Sequence, residues 1–295
     1  MSKQIVARLG LTRKLCWYLL GVVVLAGLGW SGLRAVHAES WDIKAPYPAP
    51  DIELIGDVIN SKLYVVGGAP TKLNVYDPAT NTWDTTRAAP PIGIRYAAAA
   101  AINGKLYVIG GVDCFGPGCA TNRVEVYDPA TNTWDTTRAA MPTARYYLTA
   151  AAIAGKLYVV GGSNGDVLLN TLEVYDPATN QWTAKAGMPA ARFGLAATGL
   201  NGKLHVVGGS NDAGALNKLE IYDPATNTWD TTKPGMPTAR LFLATVVMDG
   251  KLHVLGGRTS PFSQNKLEVY DPGTNQWTTK LDMLTARDSL VAGVI

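Results

Sequence analysis

Five arginines recur at nearly even intervals along the chain: Arg95, Arg145, Arg192, Arg240 and Arg287. A guanidinium presents several N–H donors in a planar fork, so a ring of them suits carboxylates and other planar anions. Tyr96, Tyr146, Phe193 and Phe242 follow them closely and could supply stacking walls. Asp113, Asn164, Asp166, Asn211, Asp212 and Arg258 fall in segments of variable length and could tune selectivity. The same arginines admit a second reading, in which each pairs with a repeated acid such as Glu125, Glu173, Glu220 or Glu268 and serves the scaffold. Both readings stand at the level of sequence.

Metal and nucleophile chemistry finds less support. Beyond residue 38 the only histidines are His205 and His253, which replace the tyrosines of Tyr64, Tyr107 and Tyr158 in a repeated strand and read as sheet residues. Redox copper needs clustered imidazole and phenol ligands. No spacing of nucleophile and base stands out. No cofactor is expected.

The elements that must position these groups are repeats. Gly-Gly pairs stand at 67/68, 110/111, 161/162, 208/209 and 256/257, with a period of 43 to 51 residues. Each closes a stretch like Lys156-Leu157-Tyr158-Val159-Val160. Each is followed by a Tyr-Asp-Pro-Ala-Thr-Asn-Thr-Trp-like stretch, with Tyr and Trp at 76/83, 127/134, 175/182, 222/229 and 270/277. A Met-Pro-Thr-Ala-Arg element then leads into the next unit, and residues 90–95 are a divergent copy. Asn103-Gly104, Asn201-Gly202 and Asp249-Gly250 favour two-residue hairpins. The Pro- and Asn-bearing stretch is a second turn rather than an oxygen-rich ion loop. Four antiparallel strands per unit make one blade of a propeller.

This pattern resembles the kelch repeat and covers the chain from about Trp41 to its end. The fold class expected is all-β, a kelch-type propeller with five complete blades and parts of a sixth. Trp41 to Pro48 matches Trp182 to Pro189 in spacing and reads as an outer strand. Residues 288–295 read as an inner strand, so the two ends share a sixth blade. Its middle strands, roughly 35 residues by the repeat length, are missing, and either a propeller truncated at its C-terminus or an open ring is expected. Length variation falls between strands two and three, on the face where strand one begins. The resemblance implies a pocket there, lined by repeat arginines, for an acidic protein, peptide or carbohydrate ligand. An alternative drawn from related propellers is a mutarotase-like enzyme acting on an acidic sugar such as sialic acid.

Residues 1–38 hold five basic side chains and no acid, with an uncharged apolar run from Leu15 to Leu33 and small residues at Val36 and Ala38. That is the layout of a signal peptide or an uncleaved membrane anchor. The remaining residues, 39–295, form the propeller. Their 21 basic and 23 acidic residues give a net charge of −2 and no footprint for nucleic acid. An extracytoplasmic setting is expected, with membrane contact only through the leader. Cys114 and Cys119 flank Gly116-Pro117-Gly118 and are expected to form a disulfide in that setting.

Overall fold

The computed structural model describes residues 5–7, 22–24, 40–48, 53–68, 70–114 and 118–295. Five of its four-stranded antiparallel sheets each come from one repeat. The third repeat is representative: Thr149–Ile153, Lys156–Val160, Leu172–Asp176 and Gln181–Lys185 lie side by side in chain order. Inner strands such as Ala98–Ile102 and Ala196–Leu200 are rich in alanine because six of them converge around one axis. Ile55–Ile59, Ala98–Ile102, Thr149–Ile153, Ala196–Leu200, Ala244–Met248 and Ala292–Val294 pack in sequence, and the last returns to the first. The ring is closed.

The sixth sheet joins the chain ends, as the outlying Trp41 and residues 288–295 foretold. Asp42–Lys44 is its outer strand and Ala292–Val294 its inner one. The expectation that its middle strands are missing is corrected. Ile5–Ala7 and Val22–Val24 take those places. Val22–Val24 falls within the apolar run, and valine favours a sheet. The rest of the leader lies outside the described residues. Among the described residues, no helix is long and apolar enough to cross a membrane.

The repeated motifs fasten one blade to the next. In Asn132, Asn180 and Asn227 the backbone is left-handed (φ near +56°). Each side-chain oxygen accepts the hydroxyl of its own blade's tyrosine, as Tyr175 does to Asn180 at 2.7 Å, and an amide of the preceding segment, as Ala139 does at 2.9 Å. Trp83, Trp134, Trp182, Trp229 and Trp277 donate Nε1–H to carbonyls of Ala45, Ala88, Ala139, Ala186 and Pro234. Trp41 does the same to Leu281 across the joined ends, at 2.9 Å. These aromatics are scaffold. Between sheets, Tyr158, Leu204, Val206 and Tyr222 form one of several apolar layers.

Candidate functional site

The arginines resolve first. Arg145, Arg192 and Arg240 have no exposed surface, and each meets the acid of its own blade's third strand: Glu173, Glu220 and Glu268. Arg240 donates to Glu268 at 2.7 Å. Arg192 forms an ion pair with Glu220 at 2.8 Å. Burial lowers the pKa of all three guanidiniums while the facing carboxylates oppose the shift. Arg287 is buried too and is pushed down to about 10 by desolvation. A group with no exposed surface offers a ligand nothing, so these arginines are corrected from binding residues to scaffold.

Arg95 is a different case. It pairs with Val112 as Tyr146 pairs with Ser163 and Phe193 with Ser210. Counted by strand register, the buried-arginine slot of this blade belongs to Ile94, one residue earlier. Arg95 is half-buried outside that slot.

What lies at the mouth is a second ring. Glu53, Tyr96, Tyr147, Gly194, Phe242 and Ser289 occupy one position in six successive blades, and all six are left-handed (φ +52° to +62°). The amides form a chain around the axis: Tyr147 donates to the Tyr96 carbonyl, Gly194 to Tyr147, Phe242 to Gly194 and Ser289 to Phe242, at 2.7–3.0 Å. Non-glycine residues seldom adopt this conformation, and such strain gathers at functional sites. These residues rim a cavity of about 380 Å³ that runs down between the inner strands.

The rim is aromatic with charge at its edges. Tyr96 and Tyr147 have ring centroids 4.3 Å apart, and Tyr147 lies 5.1 Å from Phe242 and 5.7 Å from Phe193. The Tyr96 hydroxyl stands between that of Tyr147 and the Glu53 carboxylate, close enough for each to act on its titration. Burial pushes both phenols up, so they stay protonated donors. Arg258 rises from the hairpin of Arg258–Thr259 and Phe262–Ser263, and its guanidinium carbon sits 4.8 Å over the Phe242 ring. Its Nε has no hydrogen-bond partner among the described residues. Asp288 also lines the cavity, accepting from Ser263 of the same hairpin at 2.6 Å and from Ser289 at 3.1 Å.

Of the residues singled out by sequence, Tyr96, Phe242 and Arg258 line the cavity. Tyr146 and Phe193 stand one residue outside it yet touch its aromatic wall. Asp166 and Asp212 are exposed on loops of the same face, and neither lines it. Glu53, Tyr147, Asp288 and Ser289 were missed. Counting back from each hairpin turn, rather than forward from each arginine, would have found them. Cys114 and Cys119 are disulfide-bonded. Among the described residues no cluster of metal-ligating side chains occurs. His205 and His253 are buried in strands, where desolvation lowers their pKa.

A sequence profile described as the KLHDC2/KLHL20/DRC7 Kelch-repeats domain matches residues 55–188. Kelch-motif profiles match residues 191–235 and 239–283. Kelch-like protein 23 of Mus musculus is 36% identical over 98 residues, which are 33% of this chain and 17% of that protein. The Rab9 effector protein with kelch motifs of Gallus gallus is 29% identical over 161 residues, 51% of this chain and 40% of that protein. The chain thus spans less than half the length of these curated relatives. A solved structure described as that of YjhT superposes with a TM-score of 0.74 over 89% of this chain and 91% of its own, at 16% identity.

Proposed function

This chain belongs to the kelch-repeat β-propeller family, and from that premise we propose that it is a binding module whose ligand enters the channel mouth with a carboxylate leading. One observation carries the reading. Arg258 stands over Phe242 at the rim of the cavity and is only half-buried, while Arg145, Arg192 and Arg240 are buried and already face carboxylates. A carboxylate would meet Arg258, and the body of the ligand would stack against Tyr96, Tyr147 and Phe242. The protonated phenols add donors.

Calorimetric titration with a short glutamate-rich peptide and with N-acetylneuraminate tests this. One of them should bind the wild-type chain, and Arg258→Ala should weaken it at least tenfold at unchanged melting temperature. Failure of both probes, or equal binding by the variant, rejects the reading. Glu53 and Asp288 flank the same cavity as Arg258, which favours one second reading. In it, these carboxylates and the arginine promote anomer exchange of an acidic sugar. Saturation-transfer NMR on the free sugar separates the two, because binding alone leaves the exchange rate unchanged.

We also infer export from the cytoplasm. The charge pattern of residues 1–38 and the Cys114–Cys119 disulfide support it. A cleaved leader would take Ile5–Ala7 and Val22–Val24 out of the sixth sheet. The intact mass of the protein recovered from cells therefore decides between a removed leader and a folded one.

A further inference from the structure

Four third strands carry an acid at the same register: Glu125, Glu173, Glu220 and Glu268. In the third, fourth and fifth blades the fork of an arginine fills the space before it. In the second blade that position is Ile94, whose side chain packs into the apolar layer between the first two blades. Glu125 is 1% exposed, and neither carboxyl oxygen has a hydrogen-bond partner. The space before it is a void of about 10 Å³, lined by Gly93, Ile94, Val108, Gly110, Val112, Asp113, Thr121, Arg123 and Glu125. The repeat counterparts of Ile94, Gly110, Arg123 and Glu125 are Arg145, Gly161, Thr171 and Glu173. In that blade the Arg145 guanidinium bonds the Gly161 and Thr171 carbonyls. The void is an arginine slot without its cation.

The groups facing Glu125 leave it uncompensated. Gly93 and Ile94 from the entering segment carry no charge, nor do Val108 and Gly110 from the adjoining strand. Arg123 belongs to an ion pair with Asp113 at 2.8 Å, and Arg145 of the next blade is committed to Glu173. The two ends of the strand two–three connection border the void. Asp113 and Thr121 line it, and Thr121 donates to the Gly111 carbonyl and accepts from the Arg145 amide.

We propose that this vacated slot is a proton-operated latch: neutral Glu125 holds the connection around Thr121 onto the second blade, and ionised Glu125 loosens it. A buried carboxylate with no partner must draw in water or a cation to remain charged, and the carbonyls left by the missing guanidinium offer it no donor. Burial raises the Glu125 carboxyl from 4.5 to about 7, opposed only by Arg123. Stability from this group is therefore complete below the unfolded value near 4.5 and is lost as pH rises through about 7. The latch does not depend on the ligand reading.

Thermal unfolding from pH 5 to pH 8.5, with amide exchange at Thr121 followed by mass spectrometry, tests it in the whole chain. The wild type should lose on the order of 5 °C across this range. Thr121 should lose about tenfold in protection beyond the intrinsic rate increase. Glu125→Gln should flatten both profiles. Ile94→Arg should flatten them as well, by restoring the cation. Should Ile94→Arg fail to fold, Glu125→Gln decides alone. Profiles of the wild type and Glu125→Gln that run parallel would overturn the proposal.

Discussion

A guanidinium with no exposed surface is tolerable only against a carboxylate, and removing either partner strands the other. Arg240 and Glu268 form such a pair in full hydrogen-bond alignment. Arg240→Ala should cost roughly 3–5 kcal/mol in urea unfolding, whereas the double change Arg240→Met with Glu268→Leu should recover most of that loss. Equal losses in the single and double variants would mean that packing, not charge, sets the cost. The spacing of these arginines was legible in the sequence, and so were their partners as one of two readings. Their burial was not, because it depends on an acid two strands away across a sheet. Residue type also misled at one point. Arg95 matches its fellows by chemistry, but the strand register hands their slot to Ile94. Arg258 carried no repeat signal, and only its place in a variable loop marked it.

The paired glycines at the end of each second strand show how a single element serves its neighbour. Gly161 is left-handed at φ +68°, and a Cβ there would stand 2.8 Å from the Arg192 carbonyl of the next blade. Gly162 then donates its amide to that same carbonyl at 3.0 Å. The sequence showed that a backbone must come close at these glycines. Which backbone came was hidden, since the repeat one period on supplies it. Gly155 is a natural control. It is left-handed at φ +75°, and a Cβ added there would meet nothing within 4 Å. Gly155→Ala should therefore cost about 1 kcal/mol, the conformational penalty alone. Gly161→Ala should cost roughly 2–4 kcal/mol, since contact with the next blade adds to that penalty. Matching values from urea unfolding would show that the blades shift to admit a methyl group.

At the scale of the whole ring, one seam differs from the others. Trp134 donates to Ala88 at 2.8 Å across a junction that the continuous chain also bridges. Trp41 donates to Leu281, 240 residues away. It so ties the outer strand of the sixth sheet, from the beginning of the chain, to the segment that leads into its inner strand, from the end, two parts that meet only through non-covalent contacts. Trp41 also packs with Ala244, Val246, Leu267, Val269 and Met283. Its role was legible because its spacing to Pro48 copies that of Trp182 to Pro189. The middle strands of its sheet were not, because they carry none of the repeat motif. Trp41→Phe and Trp134→Phe each remove one hydrogen bond and should cost a similar amount, about 1 kcal/mol, in equilibrium unfolding. Their local consequences should diverge. At Trp134 the chain holds the blades in place and the junction recloses, whereas at Trp41 opening frees both ends of the ring. Limited proteolysis under native conditions should then cut Trp41→Phe near residues 40–48 and 281–295 several-fold faster than wild type, and leave Trp134→Phe unchanged. Equal resistance in the two variants would mean that the inner contact between Ala292–Val294 and Ile55–Ile59, rather than the tryptophan, closes the ring.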